Sequence, residues 1–134
     1  MNKKTMDNLS TAMHGEAFAY AKYMLYAEHA RQGGNTELAQ LFEKTAKEER
    51  LEHFAEEAGL AGLVGTDADN LKDAIQGESY EVETMYRDFA QQAAAVGDQA
   101  AADRFAEIRH DEMEHRDAFK AALAKTGKAK AQAG

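Results

Sequence analysis

Along four stretches of the chain, apolar and aromatic residues recur at alternating steps of three and four. That spacing keeps side chains on one face of an α-helix. The stripes read Met6, Leu9, Met13, Glu16, Tyr20, Tyr23, Ala27; then Leu38, Phe42, Thr45, Glu49, Glu52; then Leu71, Ile75, Glu78, Val82, Met85, Phe89; and finally Phe105, Ile108, Glu112, His115, Phe119. Every stripe carries an acid within it. A buried carboxylate without a partner costs on the order of several kcal/mol or takes up a proton. Four such stripes therefore demand helices packed seam to seam and a compensating positive charge at the level of the acids. Lys22, Lys44, Lys47, Arg50 and Arg116 fall mostly off the seams and read as solvent-facing salt-bridge partners. A bound cation or two would supply the charge.

Composition narrows the choices. The chain has 134 residues, no proline and an abundance of strong helix formers, so one all-α domain is expected. A net charge of -8 argues against nucleic-acid phosphates and against an anionic membrane surface as partners. No apolar run is long enough to span a bilayer, and "MNKKTMDNLS" has no hydrophobic signal core, so the expected location is cytoplasmic. With zero cysteines, metal ligation falls to carboxylate and imidazole, which suit iron or manganese.

Breaks at "RQGGN", "GLAGLVGTDADN" and "AVGD" divide the chain into helices at about 5–31, 36–58, 69–96 and 98–125. Residues 1–125 form the expected domain, with 126–134 as a flexible tail. An internal repeat runs through it. Gly15-Glu16 matches Gly77-Glu78 at an offset of 62, while Tyr23, Phe42 and Glu49 match Tyr86, Phe105 and Glu112 at 63. Two copies of a helical hairpin, joined by a glycine-rich crossover of about ten residues, would make a four-helix bundle. The crossover could equally carry the second hairpin to another subunit.

The ligand spacing agrees with such a bundle. In di-iron carboxylate bundles two helices each give a Glu and two give Glu-x-x-His, because residues three apart share a helix face. The fourth helix carries Glu112-x-x-His115, the first Glu16, the second Glu49 with Glu52 and His53, and the third Glu78 and Glu81. Tyr23 and Tyr86 could hydrogen-bond the buried acids, and Asp111 could orient a ligand. His14, His29 and His110 read as surface or structural.

The segments "GEAFAYAKYMLYAEHA", "LFEKTAKEERLEHF", "DNLKDAIQGESYEVETMYRDFA" and "RFAEIRHDEMEHRDAF" together resemble the rubrerythrin branch of the ferritin-like superfamily. The resemblance implies a ferritin-like four-helix bundle of two hairpins with a crossover. It implies two iron ions, with manganese or a mixed pair as alternatives, held by Glu16, Glu49, Glu81, Glu112 and His115, with Glu49 and Glu112 bridging. Periodicity favours Glu78 over Glu81; a π-bulge could shift the register, and on that ground the expected third-helix ligand is the Glu81 that the resemblance implies. The family's second-helix histidine position falls on Glu52, with His53 one place later. Ligation by His53 would need a locally deformed helix. The family's frequent extra glutamate in the third helix falls on Thr84.

The implied function is a non-haem di-iron peroxidase that reduces hydrogen peroxide in oxidative-stress protection. Without the cysteines of a rubredoxin-type iron, electrons would come from a separate donor protein. A ferritin-like ferroxidase, acting on iron with O2 or peroxide, is the alternative, and a non-enzymatic helical interaction module a third. The resemblance further implies a homodimer, with its hairpins either kept within one chain or exchanged between two.

Overall fold

A computed structural model describes the backbone of residues 1–133 and the side chains of residues 1–128. The described residues form four long helices and no strand, as the all-α expectation required. The first is Lys3–Gln32. The second comprises Thr36–Glu48, a π-helical stretch Glu49–Phe54, and Ala55–Ala61. The third comprises Asp67–Tyr80, a π-helical stretch Glu81–Met85, and Tyr86–Ala95. The fourth is Gln99–Ala133. It runs past the expected end near residue 125 into the segment expected as a flexible tail, because alanine and lysine keep favouring helix there. Gly134 lies outside the described residues.

Side-chain caps fix where the helices start. Asn2 accepts from Thr5 N–H at 2.9 Å, Asn35 from Leu38 N–H at 3.2 Å, and Thr66 from Asp69 N–H at 3.2 Å. The third helix is thus capped by Thr66 and begins at Asp67, ahead of the expected start at 69. The second ends later than expected, at a Schellman turn. Leu63 N–H returns to the Ala58 carbonyl at 3.0 Å and Gly62 sits at φ 66°, the left-handed region glycine enters without penalty. The connection shrinks from the expected ten residues to Gly62–Thr66.

The chain divides into two compact units, Met1–Val64 and Gly65–Gly134, each built on one helical hairpin. In the first, Ala27, Ala30, Ala39 and Ala46 are buried, their small side chains letting the helices approach closely. Beside them Phe42 packs against Tyr23 and Tyr26, with ring centroids 6.0 and 5.4 Å apart. Arg31 and Glu43 pair across the same hairpin. The second hairpin repeats this at an offset of 63. There Phe105 packs against Tyr86 and Phe89, at 6.1 and 5.7 Å, beside the buried Val82 and Ala102. Each aromatic pair contributes about 1 kcal/mol beyond the area it buries. These clusters hold the helices of each hairpin in the register that brings the seam acids together.

Candidate metal centre

Each hairpin gathers two glutamates and one histidine. In the first, oxygen and nitrogen atoms of Glu16, Glu49 and His53 lie within 4.8 Å of one another; in the second, those of Glu78, Glu112 and His115 do. His53 Nδ1 stands 2.9 Å from Glu49 Oε2 and 3.7 Å from Glu16 Oε2. His115 Nδ1 stands 3.0 Å from Glu112 Oε2 and 3.8 Å from Glu78 Oε1. The four carboxylates are half-buried, whereas the two imidazoles are more than half exposed.

The two triads correspond by the internal repeat, with one irregularity. From Glu49 to His53 is four steps, while from Glu112 to His115 is three. A π-helical turn absorbs one residue more than an α-helical turn, and Glu49–Phe54 is such a turn. The third helix shows the converse. Glu16 to Tyr23 is seven steps and Glu78 to Tyr86 is eight, with the extra residue taken up in Glu81–Met85. Each hairpin therefore carries one inserted residue, on different members of its helix pair. Both shifts between offsets 62 and 63 fall at a π-turn.

The sequence-derived candidates sort accordingly. Glu16, Glu49, His53, Glu112 and His115 lie in the triads. Glu52 is exposed and outside them, so of the two second-helix alternatives it is His53 that is brought in. Glu81 is half-buried beside the second triad and hydrogen-bonds Glu78. Tyr86 borders the same acids, whereas Tyr23 packs on Tyr26 and Phe42 with no hydrogen bond to the first triad. Asp111 is exposed and acts on His115 through its charge alone. Arg116, expected in solvent, is half-buried and stands 3.7 Å from Glu83. The ligand sets implied by the resemblance omit Glu78, yet it joins the second triad, as its place on the stripe and its match to Glu16 both signalled. Glu57 went unnoticed in the sequence. Its Oε2 is buried with no hydrogen-bond partner and its charge acts on Glu16.

The electrostatics are those of a site short of positive charge. Glu78 Oε2 is buried with no hydrogen-bond partner, while a hydrogen bond joins the Glu78 and Glu112 carboxylates. That hydrogen bond, then burial, then the charges of Glu112 and Glu81 raise its pKa to about 7. Glu112 is correspondingly lowered, by its hydrogen bond from Glu78 and then by His115. The first triad behaves alike: Glu16 is raised chiefly by its hydrogen bond with Glu49, and Glu49 is lowered by the same bond and by His53. His53 and His115 are raised above the usual imidazole value, first by their glutamate partners. Glu81 is raised mainly by burial. Protons here stand where divalent cations would, and a set of carboxylate oxygens with imidazole nitrogen fits iron. The orphaned oxygen of Glu78 supplies the lone pairs such an ion would take.

The Rubrerythrin family model matches residues 7–54 and 49–123. The chain is similar to a putative rubrerythrin of Methanocaldococcus jannaschii, 32% identical over 90% of this chain and 70% of that one. It is also similar to a rubrerythrin of Porphyromonas gingivalis, 33% identical over 90% of this chain and 66% of that one. Among solved structures, a nigerythrin in its fully reduced, all-ferrous state is 31% identical over 92% of this chain and 67% of that one, with a TM-score of 0.46. The chain spans about two thirds of the length of these relatives. With the family model covering most of the chain, and a carboxylate-imidazole triad in each hairpin, the chain belongs to the rubrerythrin family of ferritin-like di-iron proteins.

Proposed function

We propose that the protein is a non-haem di-iron peroxidase of oxidative-stress defence, reducing hydrogen peroxide with electrons from a separate donor protein. The domain is residues 1–125. The metal ligands are Glu16, Glu49 and His53 from the first hairpin and Glu78, Glu81, Glu112 and His115 from the second. The observation that carries this reading is the Glu–Glu–His triad repeated in each hairpin, its carboxylate oxygens and imidazole nitrogen drawn within 4.8 Å of one another. Family membership supports iron as that cation.

Iron in the ferrous state, when bound, supplies the two electrons that cleave the O–O bond of peroxide. The chain's residues prepare that chemistry. Glu49 and Glu112, both lowered, are ionised at neutral pH and ready to bridge. Glu16 and Glu78, both raised, take up protons more readily in the metal-free protein, and ions compete with those protons, which makes affinity rise with pH. Burial and the nearby acids push the Tyr86 phenol up, so it stays protonated and can donate a hydrogen bond to a ligated carboxylate. The exposed imidazoles leave each triad open to small oxidants from solvent.

The short connection supports a homodimer with exchanged hairpins. A ferritin-like crossover that returns along the helices must span the second helix beyond Glu49 and the third before Glu78. Together these run about 34 Å at a rise of about 1.5 Å per residue. Gly62–Thr66 reaches about 20 Å at most. No helix among the described residues is long and apolar enough to cross a membrane, in keeping with the proposed cytoplasmic setting.

Stopped-flow oxidation of the di-ferrous protein tests the activity. Peroxide is expected to oxidise it much faster than O2. The reverse order, with many irons loaded per chain, would instead identify a ferroxidase.

A further inference from the structure

Arg109 lies on the fourth helix, one turn before Glu112, and is half-buried. Its Nε–H donates to the main-chain carbonyl of Val82, on the third helix, at 2.6 Å. That carbonyl belongs to the π-turn Glu81–Met85, in which Tyr86 N–H reaches back five residues to Glu81. Widening a turn by one residue leaves a carbonyl there without a donor in the ordinary ladder, and a buried carbonyl needs one. Val82 is 4% exposed, so water does not meet that need.

We propose that Arg109 is a positioning residue that holds the third-helix π-turn open, and with it the register that keeps Glu78, Glu81 and Tyr86 on the face turned to Glu112. The turn matters because of the helix period. Seven residues at about 100° each return nearly to the starting face, whereas eight overshoot by about 80°. Glu78 and Tyr86 are eight apart, so an unbroken α-helix would swing one of them off the seam. With the turn in place Tyr86 keeps its ring contact with Phe105 while Glu78 stays in the triad.

The internal repeat provides an independent control. The residue that corresponds to Arg109 at the offset of 63 is Ala46, which is 0% exposed. Ala46 faces a hairpin partner, Lys3–Gln32, that is α-helical throughout and has no spare carbonyl to satisfy. The arginine stands where its facing helix is bulged, and the alanine where it is not. One hairpin has the bulge and the donor together, and the corresponding place in the other has neither.

The backbone half of this inference stands without the metal reading; the half that concerns the site rests on it. Two measurements separate them. Arg109→Met keeps the length of the side chain but removes its donors, and Arg109→Lys keeps a donor. In metal-free protein, amide exchange over residues 83–87 is expected to quicken about tenfold in Arg109→Met. It should recover at least in part in Arg109→Lys, and residues 49–54 should exchange at their former rate in both. Unchanged exchange at 83–87 overturns the proposal. In protein loaded with Co(II), Arg109→Met is expected to shift the visible ligand-field bands, with the shift reversed in Arg109→Lys; identical spectra overturn the positioning role. Should wild type take up no Co(II), the metal reading fails, and the exchange data still decide Arg109. Deleting Thr84 removes the extra residue and gives the third helix the spacing of the first. In that background Arg109→Met is expected to leave exchange at 83–87 unchanged, and a tenfold effect there contradicts the role assigned.

Discussion

Glu78 is the side chain on which the site's electrostatics turn. Its unfolded value is 4.5 and its folded value about 7, so the folded chain holds the proton more tightly. A group raised in this way adds stability that is fully present below about pH 4.5 and is lost as pH rises through about 7. Glu112 is lowered and works in the other sense, its contribution fading on acidification. Glu78→Gln keeps a donor for Glu112 but cannot ionise. In chelator, its melting temperature relative to wild type is expected to climb between about pH 5 and pH 8. A difference that stays constant across that range would show that Glu78 does not titrate there. The second-helix ligand is decided by a pair of variants: His53→Ala should lose half or more of the bound iron, whereas Glu52→Ala, on an exposed residue outside the triad, should keep it. Iron per chain after gel filtration is the measurement. Glu78 was legible twice in the sequence, from its stripe with Leu71, Ile75 and Val82 and from its match to Glu16. The choice between Glu52 and His53 was not, because an inserted residue in a helix alters facing without altering composition.

At the scale of elements, the three-and-four stripes announced the helices, and the glycine-bearing breaks placed most of their ends. What they left out was the pair of π-turns. A stripe assumes a constant period, and a π-turn breaks it once; the slips of the repeat between offsets 62 and 63 were the visible trace of that break. The second-helix end was misplaced for a local reason. Gly59 resembled a helix terminator, yet the chain passes through it as helix and stops where Gly62 takes a positive φ. Gly62→Ala would meet no atom within 4 Å, so its effect is purely conformational. It should lower stability by about 1 kcal/mol, or the melting temperature by about 4 °C. A melting temperature equal to wild type would mean the Schellman turn does not persist in solution.

For the whole molecule, the internal repeat means that each hairpin carries a ligand set of similar chemistry, and the proposed centre draws on both kinds. The five-residue connection makes a second copy the expected source of the complementary hairpin. Mixed refolding of Glu49→Ala with Glu112→Ala chains tests this. Each variant alone should lack the iron pair, while a mixed, exchanged dimer regains one intact centre from its two unaltered hairpins. No recovery on mixing would place both hairpins of a centre in one chain. A metal-binding bundle was readable from conjunction, since four helices each bore a seam acid; the ferritin-like class and the use of iron came from the family resemblance. Neither stripes nor repeat bears on the proposed exchange, which the sequence left as one of two connections, because it depends on the length of a connection rather than on any face.

The claim beneath all of this is that the two Glu–Glu–His triads hold iron. Diffraction from iron(II)-loaded crystals, collected on either side of the iron absorption edge, tests it most directly. Two anomalous peaks per chain are expected, one within bonding distance of His53 and Glu49 and one within bonding distance of His115 and Glu112. Peaks confined to the exposed cluster of His110, Asp111 and Glu114, or none at either triad, would contradict it.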